Sequence, residues 1–179
     1  MNRTVCVSFC GVVTALCTAL MFFTGLIPVG TYAFPAMAGA LMIVIVVEMG
    51  TAWAWPVYAA SSILSYLIAG DREASLLFIL FFGYYPILKA VIERHKKGFV
   101  SYLLKFIVFN AAMIAEYFIS ITVLSVPQES FYLFGVNLAV VFLAAGNLVF
   151  AVYDFGISSL VVAYYRRLHP SVSRLFRMK

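Results

Sequence analysis

Apolar residues run along this chain in long blocks, each closed by turn-forming or charged residues. The blocks cover residues 5–27, 34–50, 52–69, 74–93, 100–125 and 132–165. Most reach roughly 18 residues, which at about 1.5 Å of helical rise per residue approaches the ~30 Å core of a bilayer. The pattern predicts six transmembrane helices in residues 1–165 and a basic tail over 166–179. The weakest punctuation is Glu48, Met49, Gly50 and Thr51, before Trp53, Trp55 and Pro56 resume the apolar run, and it predicts a tight hairpin. The last block exceeds one upright span, so it tilts, breaks near Gly146 and Asn147, or continues past the membrane.

Composition sharpens this reading into a fold class. With 65% of residues apolar and 11% charged, the chain holds more apolar surface than a water-soluble fold of 179 residues can bury. The expectation is an all-α membrane protein, a compact bundle of six transmembrane helices in the cytoplasmic membrane.

Charge then orients it. Arg3 precedes the first block, Arg94, Lys96 and Lys97 separate the fourth and fifth, and Arg166, Arg167, Arg174, Arg177 and Lys179 follow the sixth. Six spans put all of these on one side, whereas the opposite side carries Arg72 between Asp71 and Glu73. Basic residues near span ends are retained in the cytoplasm, so both termini are expected there. The net charge of +5 is thereby assigned to topology and to anionic lipid, and nucleic acid is not an expected partner.

The first block is longer than the apolar core of a secretory signal and lacks a small-residue cleavage site, so it is read as a retained helix. Cys6, Cys10 and Cys17 fall on one stripe of it, as buried or lipid-facing thiols rather than a disulfide framework or a zinc site. The opposite face carries Gly11, Ala15 and Ala19, small residues four apart that let another helix approach closely.

Catalytic signatures are missing: there is no H-E-x-x-H pair, phosphate-cradling glycine loop or G-x-S-x-G elbow. His95 and His169 lie in basic segments away from Ser158, and Asp154 has no second membrane aspartate beside it. No enzyme, metal or cofactor is expected.

What remains is a set of polar residues at membrane depth, each expensive enough to require a partner or a cavity. Glu48, Lys89, Lys105 and Asp154 lie toward the basic side with balanced charge, an arrangement that suits an ion cluster tying helices together. Asn147, Ala151, Asp154 and Ser158 share one face of the sixth helix, and Lys105, Phe109, Ala112, Glu116 and Ser120 one face of the fifth. Glu116, nearest mid-membrane, is the best single functional candidate. In the fourth block, Pro86 cannot donate to the carbonyl of Phe82 and clashes with it, which predicts a kink beside Tyr84 and Tyr85. The candidate ligand site joins Tyr84, Glu116 and Asn137 under a lid formed by the first connection, with Thr31 and Tyr32.

Six short helices, the A-x-x-x-A of Ala15 and Ala19, and a Pro-Gly first connection at Pro28 and Gly30 resemble the substrate-binding S component of energy-coupling factor transporters. The resemblance implies that Ala15 and Ala19 meet a separate transmembrane coupling subunit, itself joined to two ATPases. It also implies a small-molecule substrate between the outer halves of later helices and the first loop. A membrane scaffold of cell-envelope assembly, with no ligand, fits the same size.

Overall fold

The computed structural model describes residues 3–27, 30–96, 98–122, 132–133, 136–170 and 172. These form α1 (Arg3–Phe23), α2 (Gly30–Met49), α3 (Thr51–Ile68), α4 (Arg72–Leu77), a π-helical turn (Phe78–Phe82), α5 (Tyr85–His95), α6 (Phe99–Thr122), two short strands and α7 (Leu138–Arg167). The strands, β1 (Tyr132–Leu133) and β2 (Val136–Asn137), make one antiparallel pair. Among the described residues, five helical stretches are long and apolar enough to cross a membrane: α1, α2, Arg72–His95, α6 and Leu143–Arg167. The chain is therefore an all-α, multi-pass membrane protein. At 18 residues α3 is as long as such a span requires, but its two Trp, two Tyr, three Ser and one Pro make it less apolar.

Exposure follows the logic of a bilayer solvent. On α7, Leu148, Val152 and Phe155 are each more than two-thirds exposed at helical spacing, while Phe150, Asp154 and Ile157 face inward. Ala151, expected on the inward face, is exposed. On α6 the expected inward face is observed, with Lys105, Phe109, Ala112 and Ser120 buried and Glu116 half-buried.

The connections show why glycine stands where it does. Met49 ends α2 and Thr51 begins α3, so the hairpin turns on Gly50 alone, at φ +85°, a left-handed conformation that costs other residues. Gly25 and Gly70 bring two connections together at the opposite end, where a Cβ on Gly25 would lie 2.7 Å from Gly70 Cα. We call the end with Gly50, Gly98 and Arg166 the basic end, and the end with Gly25, Gly70 and Asp71 the acidic end.

Two boundaries differ from expectation. Helix α2 begins at Gly30, so Thr31 and Tyr32 belong to its first turn rather than to a lid, and Pro35 sits inside it. Pro28 and Val29 lie outside the described residues. The sixth block is extended at its start and helical only from Leu138, then runs thirty residues without a break at Gly146 or Asn147. At about 45 Å it exceeds the ~30 Å apolar core, as its length required.

Two apolar clusters hold the bundle. One joins α1, α2, α3 and the α4–α5 unit through Cys17, Met21, Ala38, Met42, Val57 and Phe78. The other joins α5, α6, α7 and the π turn through Phe81, Tyr85, Phe109 and Phe150, with the Phe109 and Phe150 rings stacked at 4.7 Å.

Candidate functional site

The polar residues at membrane depth resolve into distinct groups, the largest being an ion cluster between α5, α6 and α7. Tyr85, Lys89 and Glu93 recur every four residues on α5, and so share one face. Asp154 of α7 receives Lys105 Nζ on Oδ2 at 2.7 Å and both Lys89 Nζ and the Tyr85 hydroxyl on Oδ1. Glu93 Oε1 bridges both ammonium groups, 2.9 Å from Lys89 and 3.0 Å from Lys105. Lys89 also reaches the Asp154 carbonyl at 3.3 Å, and Lys105 lies 4.6 Å from the centre of the Tyr102 ring. Two cations thus meet two carboxylates, and both lysines and Asp154 are under a tenth exposed. Charges taken out of water at this cost persist because every one is partnered.

Glu48, expected in the same cluster, belongs to another. At the basic end it accepts from the Tyr164 hydroxyl at 2.7 Å and pairs with His169 Nδ1 at 2.9 Å, fastening α2 to the end of α7 and the segment beyond. Tyr85 and Glu93 were within reach of sequence reasoning, one turn before and after Lys89. Tyr164 and His169 were not, because they meet Glu48 across more than a hundred residues.

Midway along the bundle, Asn110 of α6 and Asn147 of α7 exchange reciprocal amide bonds at 2.8 and 3.0 Å. Each also donates to the carbonyl four residues earlier in its own helix. On the fourth block, where a kink is expected at Pro86, the helix passes through a π turn over Phe78–Phe82 and restarts at Tyr85 with Pro86 in the first turn of α5. Gly83 N donates to Phe78 O, so Ile79 O loses its usual partner and accepts the Tyr58 hydroxyl from α3 at 2.6 Å. Gly39 of α2 lies against this break, where its missing Cβ would meet the carbonyl carbon of Phe82 at 2.9 Å.

The expected ligand residues fall in three places. Thr31 donates to Asp71 Oδ2 at 2.7 Å, the same carboxylate that caps α4 through Glu73 N and Ala74 N. Tyr32 is exposed and within electrostatic reach of Glu73, Glu116 and Asp71. Glu116 accepts from Ser120 at 3.0 Å. Tyr84 does not join them: its ring meets Tyr58 of α3 edge-on at 5.9 Å. Asn137 lies in β2, and its side chain is outside the described residues. The acidic end therefore gathers Thr31, Tyr32 and Glu116 with Asp71, the N-cap of α4, and Glu73 in its first turn.

On α1 the cysteine stripe is the packed face, with Cys6, Val13, Cys17 and Met21 buried. Gly11, Ala15 and Ala19 are exposed, and nothing lies within 4 Å of a Cβ built on Gly11. Among the described residues, no group of three or more His, Cys, Asp or Glu side chains converges to hold a metal ion.

Fold and polar network together define a small multi-pass helical membrane protein with internally paired charges. Compared with known proteins, the chain matches no family model, no curated protein and no solved structure.

Proposed function

We propose that this protein is a six-span, non-enzymatic subunit of the cytoplasmic membrane that binds a small molecule within a multi-subunit uptake transporter. In this reading α3 is the sixth span, and the basic end with both termini faces the cytoplasm. The observation that carries the proposal is the bare face of α1. Its other face is packed on α2 and α3, yet Gly11, Ala15 and Ala19 are exposed, and among the described residues nothing lies within 4 Å of a Cβ built on Gly11. Small residues at this spacing are favourable where a second helix closes on them. The occupant we assign is a transmembrane coupling subunit joined to ATPases. Thr31, Tyr32 and Glu116 at the acidic end form the substrate side, with Tyr84 and Asn137 deeper or flanking.

A membrane scaffold without a ligand is the second reading, favoured by the complete internal pairing of Lys89, Lys105 and Asp154. Co-purification from native membranes in mild detergent, followed by native mass spectrometry and an ATPase assay, separates the two. The transporter reading expects ATPase-containing complexes and a retained small molecule. Ala15→Leu with Ala19→Leu is expected to abolish the complex while the isolated subunit keeps its melting temperature. Complexes that survive both leucines, or a subunit with neither ligand nor ATPase partner, overturn it. Cysteine labelling tests the orientation independently: Arg72→Cys is expected to react from outside, and Lys96→Cys after permeabilisation alone.

A further inference from the structure

A cleft of about 200 Å³ opens between α2 and α7, with α5 as its floor. Its lining changes character along its length. The end nearer the bilayer centre is apolar, built from Ile43, Pro86 and Ile157, whereas the end nearer the basic side carries Lys89, Glu93 and Tyr165. We propose that this cleft is a binding site for one anionic phospholipid of the leaflet at the basic end, with an acyl chain along the apolar stretch and the phosphate at the charged mouth. The site stands apart from the transport reading and does not depend on it.

Three observations select this occupant. The lining passes from apolar to charged along the direction in which α2, α5 and α7 run to the basic end, the order in which an amphiphile would present chain and headgroup. The volume is smaller than the roughly 300–1,000 Å³ of pockets that enclose a drug-sized solute, but it accommodates a strip of chain whose remainder stays in the bilayer. Charge completes the argument. Lys89 and Glu93 line the mouth, Lys105 and Asp154 stand behind them, and Arg94, Arg166 and Glu48 adjoin lining residues in sequence. Together these are four cations and three carboxylates, an excess of one cation that favours a phosphate. Glu93 spends one carboxylate oxygen on both lysines and is half-exposed, so the mouth is wet enough to admit a headgroup.

Fluorescence quenching in reconstituted vesicles tests this. Tyr165→Trp places a reporter at the mouth, and Leu103→Trp places a control on the exposed face of α6 at the same end. The signal of Trp53 and Trp55 is subtracted using the unmodified protein. Brominated phosphatidylglycerol is expected to quench the mouth reporter several-fold more than an equal fraction of brominated phosphatidylcholine, and the control equally with both. Arg166→Gln with Arg167→Gln, both exposed, is expected to bring the preference toward one. Equal quenching at the mouth by both lipids overturns the proposal. So does the same preference at both reporters, or a preference untouched by removing the arginines.

Discussion

Replacing Asp154 by Asn leaves the shape of the ion cluster intact while changing its charge from zero to plus one. The substituted amide still offers an oxygen to Tyr85 and Lys89, but Lys105 is left with Glu93 as its only carboxylate among the described residues. The side chains of Lys89, Lys105 and Asp154 are 5%, 3% and 11% exposed, so screening by water is slight. Removing one partner of such a buried pair costs about 3–5 kcal/mol, because the remaining charge is stranded. For a chain of this length that is a fall in melting temperature of roughly 6–20 °C. Glu93→Gln removes a carboxylate that is 46% exposed and is expected to cost less than about 1 kcal/mol. Lys105→Met strands a negative charge instead, and combining it with Asp154→Asn restores neutrality. The pair is then expected to couple by about 0.5–3 kcal/mol in the stabilising direction. Tryptophan fluorescence melts in one detergent, run on all four variants, measure this. Additive costs, or an Asp154→Asn cost no larger than that of Glu93→Gln, would refute the claim that mutual neutralisation holds α5, α6 and α7 together.

Gly70→Ala drives a Cβ to 2.9 Å from the Gly25 backbone and is expected to destabilise by about 1–3 kcal/mol, whereas Gly11→Ala, with open space around it, stays within about 0.5 kcal/mol. Thermal melts of the two alanine variants compare them directly. Tyr58→Phe removes the donor to Ile79 O and leaves a part-buried carbonyl without that partner, at a cost of about 1–3 kcal/mol; an unchanged melt would show that the π turn caps itself. A double-mutant cycle on Asn110 and Asn147 is expected to give a coupling of about 0.6 kcal/mol, and not above about 1.7, since amides released within lipid find other partners.

Much of this architecture is determined by local sequence. Apolar block length, together with the glycine and charged residues between blocks, places the helices and the turn at Gly50, because backbone in lipid must be bonded within its own segment. Helical period alone separates the buried cysteine stripe of α1 from its bare Gly11–Ala15–Ala19 face, and sets Lys105, Phe109 and Ala112 inward on α6. Even the cost argument about charges at depth is local, and it marked Lys89, Lys105 and Asp154 as needing partners. Which partners they take is decided by tertiary structure, because the angles at which helices cross and their heights in the bundle depend on packing between residues far apart in the chain. Balanced charge suggested one cluster containing Glu48, but the approach of the end of α7 to α2 gives Glu48 to Tyr164 and His169. The break at Pro86 likewise turns Tyr84 toward Tyr58 and Tyr85 toward Asp154, a difference of one residue and about 100° around a helix that no periodicity could assign to a neighbour in advance.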